Sequence, residues 1–75
     1  MTTARTTFEI IGLRHDRDAG IVEEALAALS GVVHAYVNLA TETAYVQFDP
    51  SVTTTADLVS SVVDVGFDAG EPSTR

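Results

Sequence analysis

The chain has 75 residues, 11 acidic and 4 basic, with a formal net charge of −7, no cysteine and a hydrophobic share of 45%. That length holds one domain with a small core. Disulfide staples are excluded, and so acidic a surface repels phosphate backbones, which argues against nucleic-acid binding while drawing in cations and basic protein patches. No apolar run approaches the roughly 18 residues of a membrane span, and Met1–Thr7 lacks the apolar stretch of a secretion leader. A cytoplasmic domain with no direct membrane insertion is therefore expected.

Met1–Thr6 is small and polar and reads as a frayed terminus. Phe8 and Ile10 alternate with Glu9, which predicts a strand over Thr7–Ile11, ended by Gly12. Leu13–Asp18 is a charged loop. From Ala19 the period becomes helical, with Val22, Ala25, Leu26 and Leu29 on one stripe, Asp16 or Asp18 placed to cap the first turn, and Ser30-Gly31 as the stop. Val32–Leu39 alternates again. Thr41-Glu42-Thr43 is a polar turn, and Ala44, Val46 and Phe48 mark a third strand antiparallel to the second, closed by Asp49-Pro50. Thr54 followed by Asp57 predicts a capping box ahead of a helical stripe of Leu58, Val59, Val62 and Val65. Gly66 ends that helix, Phe67–Ala69 forms a short last strand, and Glu71–Arg75 reads as a polar tail.

Strand, helix, strand, strand, helix, strand is the order of an α+β, ferredoxin-like βαββαβ sandwich, with a core over about residues 7–69. Two right-handed crossovers place both helices on one face of a four-stranded antiparallel sheet. The opposite face is left open and carries Glu9, Ile11, His34, Tyr36, Asn38, Tyr45 and Gln47. No nucleophile–base pair and no glycine-rich phosphate loop occurs, so an enzyme is not expected.

Three stretches carry a family pattern. Gly31-Val32-Val33-His34-Ala35-Tyr36-Val37-Asn38-Leu39-Ala40-Thr41-Glu42-Thr43-Ala44 resembles the G-V-x-x-A-x-V-N-L-A-T-x-x-A stretch of heavy-metal-associated (HMA) domains. Phe48-Asp49-Pro50 is similar to that family's aromatic-Asp-Pro, and Val65-Gly66-Phe67-Asp68-Ala69 to its closing A-G-aromatic-x-A. Such domains occur in metallochaperones and at the N-terminus of metal-transporting P-type ATPases. The resemblance implies the ferredoxin-like fold, and a metal loop of the form G-M-x-C-x-x-C where this chain reads Gly12-Leu13-Arg14-His15-Asp16-Arg17-Asp18. Leu13 stands for the methionine as a packing residue, His15 and Asp18 stand where the two cysteines stand, and Phe67 is placed to cover the loop.

Soft Cu(I) needs soft sulfur, and the single sulfur of this chain is Met1. An imidazole and a carboxylate suit Zn(II), Ni(II), Co(II) or Cu(II) instead. Two donors are too few for a tight site, and Asp16, Asp64 or Asp68 are the candidates to join them. The resulting expectation is a divalent metal-binding domain that delivers to, or regulates, a metal-transporting P-type ATPase in cis or in trans. The alternative is a metal-independent module that keeps the scaffold and docks through its open sheet or acidic face. Asp16 and Asp18 also have an ordinary explanation, since carboxylates at a helix N-terminus complement the free N–H groups there. His34 reads as an exposed strand residue at the end of the domain opposite the loop.

Overall fold

The computed structural model describes residues 2–74; Met1, with the chain's sulfur, and Arg75 lie outside the described residues. The elements run β1 (Ala4–Ile11), α1 (Asp16–Ala27), β2 (Val32–Asn38), β3 (Thr43–Phe48), α2 (Thr55–Asp64), β4 (Asp68–Ala69) and β5 (Ser73–Thr74). The sheet order is β2-β3-β1-β4, all antiparallel, with β5 also on β1. This is the four-stranded ferredoxin-like sandwich with a short fifth strand added.

Period-2 alternation explains which side each strand buries. Phe8 and Ile10 of β1, Val37 of β2, and Ala44, Val46 and Phe48 of β3 are buried against Ala19, Val22 and Leu26 of α1 and Leu58 and Val62 of α2. The other parity of the three long strands faces outward, including Ile11, His34, Tyr36 and Tyr45. In β2 the pattern would fail without one irregularity. Val32 pairs with Phe48 but His34 pairs with Gln47, so Val33 is an extra, bulged residue, 52% exposed. The bulge returns Val32 to the core side while Ala35 and Val37 keep theirs.

Two expectations about the chain ends are corrected. Ala4–Thr6 is not frayed: it continues β1, pairing Ala4, Arg5 and Thr6 with Phe48, Gln47 and Val46. The tail is not all irregular either. Ser73 and Thr74 pair with Thr7 and Thr6. Between that pairing and Ile10–Ala69 there are three steps along β1 but four along the tail, so Gly70-Glu71-Pro72 holds a one-residue bulge. Pro72 has no N–H to give to a ladder, which accounts for the gap between β4 and β5. A third correction concerns Val65, expected in the α2 stripe. Helix α2 ends at Asp64, and Val65 leaves the helical region and is 39% exposed.

The edge strand β2 has its outward backbone partly covered. Glu23 of α1 accepts the Val37 N–H through Oε2 at 2.7 Å, which satisfies a donor that an edge strand otherwise leaves open. In the β2–β3 turn, Asn38 Oδ1 accepts from the N–H groups of Ala40 and Thr41 at 3.0 and 3.3 Å, a local Asx turn that gives the N-L-A-T stretch its structural role.

Candidate metal centre at the first strand-to-helix junction

β1 stops at Ile11 because Gly12 turns the chain with φ of +109°, a conformation that favours glycine. Phe67 sits over this turn: a Cβ on Gly12 would stand 3.4 Å from its Cδ1. Phe67 is half-buried and packs against the core, the covering place expected of it. Leu13 is buried and anchors the loop from below, again as expected. The chain then surfaces, and Arg14, His15, Asp16 and Arg17 are all exposed.

His15 is the N-cap of α1, extended at φ −139° and ψ 158°. Asp18, in the third position of the helix, reaches back. Its Oδ2 accepts the Arg14 N–H at 2.9 Å and the His15 N–H at 3.2 Å. Those bonds hold the Asp18 carboxyl below its ordinary value. The Arg14 N–H is the main cause and burial a partial opponent, with the His15 N–H and the charges of His15 and Arg17 adding to the lowering. The His15 imidazole lies in the capping-box arrangement over the Asp18 N–H but closes no hydrogen bond to the helix end. Of the two candidate donors, one carboxylate oxygen is thus committed to backbone N–H groups and the imidazole is not.

The expected third donors are dispersed. Asp16 opens α1 as an exposed first-turn carboxylate. Asp68 is exposed on β4 and pairs with Ile11, the residue before Gly12. Asp64 ends α2 and lines a shallow groove with Asp57, Ser60 and Ser61, walled by Leu29 and Ser30 and by Val52 and Thr53; no residue of the 12–18 loop lines that groove. Among the described residues, no three His, Cys, Asp or Glu side chains gather as a group that could hold a metal ion. No helix among them is long and apolar enough to cross a membrane.

The family model for the heavy-metal-associated domain matches residues 7–68. The chain belongs to that family. It is 39% identical over 67 residues, 89% of its length, to the cation-transporting ATPase HMA5 of rice, Oryza sativa subsp. japonica, and 33% identical over 61 residues, 81% of its length, to a copper-exporting P-type ATPase of Staphylococcus saprophyticus. It spans only 7% and 8% of those two proteins. Against the solved structure of the CopZ metallochaperone the TM-score is 0.85 at 27% identity, covering 88% of this chain and 98% of that one. This HMA domain therefore matches nearly the whole of a chaperone chain and a small part of each ATPase. Its fold agrees with that of the chaperone over nearly the whole length of both, and its loop, like the rest of the chain, holds no cysteine.

Sequence reasoning missed three polar residues that organise the molecule. Arg5 and Ser73 lie in stretches expected to be irregular, yet both sit in strands. The run Arg5-Thr6-Thr7-Phe8 already alternates and is rich in β-branched residues, the signal that would have extended β1. Glu23 gave no local signal, since its partner lies fourteen residues away on another element.

Proposed function

We propose that this HMA domain is a cytoplasmic, non-catalytic metal-handling module that gives a divalent transition-metal ion a transient two-donor hold at His15 and Asp18, in delivery to or regulation of a metal-transporting P-type ATPase, within one polypeptide or between two. The observation that supports it is placement: His15 at the N-cap and Asp18 three residues on occupy the junction, and the capping bonds fall on Asp18 Oδ2 alone. Imidazole nitrogen and carboxylate oxygen suit Zn(II), Ni(II), Co(II) and Cu(II) and not Cu(I). Two donors leave most of the shell to water, to Asp16 or Asp64 after movement, or to a partner's side chains. An ion so held is released readily, which fits transfer better than storage.

The test is an amide titration of the whole chain with each of the four divalent ions, and with Cu(I) under reducing conditions. The divalent ions are expected to shift the signals of Gly12–Ala19, His15→Ala to abolish those shifts, and Cu(I) to cause none. Unmoved signals in millimolar amounts of all four divalent ions would overturn the reading. A second reading, a metal-independent docking module, is favoured by the commitment of Asp18 Oδ2 to backbone N–H groups. Under it, His15→Ala leaves cellular metal handling unchanged, while substitutions at Tyr36 or Tyr45 disturb partner binding.

A further inference from the structure

The exposed face of the sheet is ordered into rows by strand register. Arg5, Gln47 and His34 form one row across β1, β3 and β2. Thr7, Tyr45 and Tyr36 form the next, which Ser73 of β5 extends beyond Thr7. Glu9, Thr43 and Asn38 form the third. Adjacent strands lie about 4.8 Å apart, so Arg5 and His34 flank Gln47 at close range. The two tyrosine rings stack, with centroids 6.0 Å apart and planes 26° apart, and both are exposed.

Over the first two rows lies a concavity of about 960 Å³, lined by Arg5, Thr7, His34, Tyr45, Gln47 and Ser73 among others, with no carboxylate among the described residues that line it. In a chain of net charge −7 this is an unusual stretch of surface. Two of its lining side chains carry basic groups. The Gln47 carboxamide between them is held by its Nε2 donating to Thr3 Oγ1 at 2.9 Å, which leaves its second N–H to give. The strand β5 supplies the rim on the side of β1. The concavity is also remote from the metal loop: Arg5 and Gly12 are seven residues apart along β1, roughly 23 Å at strand rise.

We infer that this face binds a small aromatic anion, its carboxylate or phosphate group held by Arg5 and His34 and its ring lying against Tyr45, the aromatic side chain that lines the concavity. A guanidinium presents paired N–H groups that match the oxygens of either anion. An exposed ion pair alone is worth little, so affinity needs the second contact, and Tyr45, which lines the concavity one row away and stacks on Tyr36, supplies an aromatic surface. A polyanion such as nucleic acid would meet the repulsion of the whole acidic surface; a small monoanion or dianion meets mainly the local donors. The inference does not rest on metal binding at His15.

The experiment is an amide titration of the whole chain with benzoate, phenyl phosphate, inorganic phosphate and benzyl alcohol. Benzoate and phenyl phosphate are expected to give saturable millimolar shifts centred on Arg5, His34, Tyr45 and Gln47, and the tighter of the two identifies the anionic group. Arg5→Gln is expected to weaken both about fivefold, roughly the share of one charge-assisted contact. Tyr45→Ala is expected to weaken them while leaving the weaker response to inorganic phosphate unchanged. Both positions are exposed, and an otherwise unaltered spectrum verifies that the variants fold. The inference is overturned by the absence of saturable shifts with both aromatic anions, by equal shifts from benzyl alcohol, by inorganic phosphate binding as tightly as phenyl phosphate, or by unchanged affinity in Arg5→Gln.

Discussion

The two helices begin with the same device, and only one of them completes it. At α2, Thr54 Oγ1 accepts the Asp57 N–H at 3.2 Å and Asp57 Oδ2 accepts the Thr54 N–H at 3.1 Å. At α1, Asp18 Oδ2 accepts the His15 and Arg14 N–H groups, and the His15 imidazole stands over the Asp18 N–H without closing a hydrogen bond; that N–H donates to the His15 carbonyl at 2.9 Å. The comparison separates the two candidate metal donors. Asp18 behaves as Asp57 does at a helix end far from any suggested metal loop, so its position is explained by capping. His15 occupies a place that serine, threonine, aspartate or asparagine would fill better. Helix formation does not call for an imidazole there, and His15 is the residue that function has to explain.

The sharpest way to break this contrast is to truncate both caps. Thr54→Ala should destabilise the domain by about 1 kcal/mol, the usual cost of losing a good N-cap, and lower Tm by roughly 4–8 °C in a domain of this size. His15→Ala should change stability by less than about 0.5 kcal/mol, since no side-chain bond is lost. Urea melts of the two variants against the parent measure both. Equal losses would mean that the imidazole caps α1 as effectively as the hydroxyl caps α2, and the case for His15 as a spare donor would fall.

Acid tests the part that the two helix starts share. Asp57 is held below its ordinary value chiefly by the Thr54 N–H, with the Thr54 side chain also lowering it, burial opposing, and the Thr53 hydroxyl assisting; Asp18 is lowered in the same direction. Asp49 is lowered too, through the Ser51 hydroxyl first and its N–H second. A carboxylate more acidic folded than unfolded stabilises the fold above its unfolded value, taken as 3.8, and the contribution fades as pH falls through the lower folded value. Stability measured by urea melts should be level from pH 7 to about 5 and fall below about pH 4. Asp18→Asn and Asp57→Asn should each flatten part of that fall. A variant whose acid profile matches the parent's would show that its capping bonds do not persist in solution.

The contrast also shows where sequence is informative. The alternation of Ala44, Val46 and Phe48, the stripe of Val22 and Leu26, and the Thr54–Asp57 pair are local patterns, and each appears in the structure where its period places it. Three positions depend on other elements. Ala4–Thr6 is a strand because Phe48, Gln47 and Val46 are there to pair with it. Val33 bulges because Val32 and Ala35 must both face the helices. Ser73 and Thr74 join the sheet because β1 has an open edge beyond Ile10. The candidate site divides the same way. Register with the family's cysteines pointed to His15 and Asp18, but whether Asp18 turns toward an ion or toward its own backbone depends on the loop path set by Gly12 and Leu13. Asp64 could be placed on α2 from the sequence; that it lines a groove beside Leu29 follows only from how the two helices pack.

The smallest effect is also the most discriminating. His15→Ser installs a good N-cap where a poor one stands, and it should complete at α1 the reciprocal pair already present at α2. The expected gain is about 0.5 kcal/mol, read as a higher urea midpoint with an unchanged slope. The same substitution removes the imidazole, so the amide shifts that Ni(II) or Zn(II) cause around Gly12–Ala19 should vanish in a protein that is more stable than the parent. Lost metal response cannot then be blamed on damage to the fold. A stabilised variant that still answers the ions would move the donor away from His15. A destabilised one would show that the imidazole contributes to the fold after all, and that the difference between the two helix starts is smaller than the hydrogen bonds suggest.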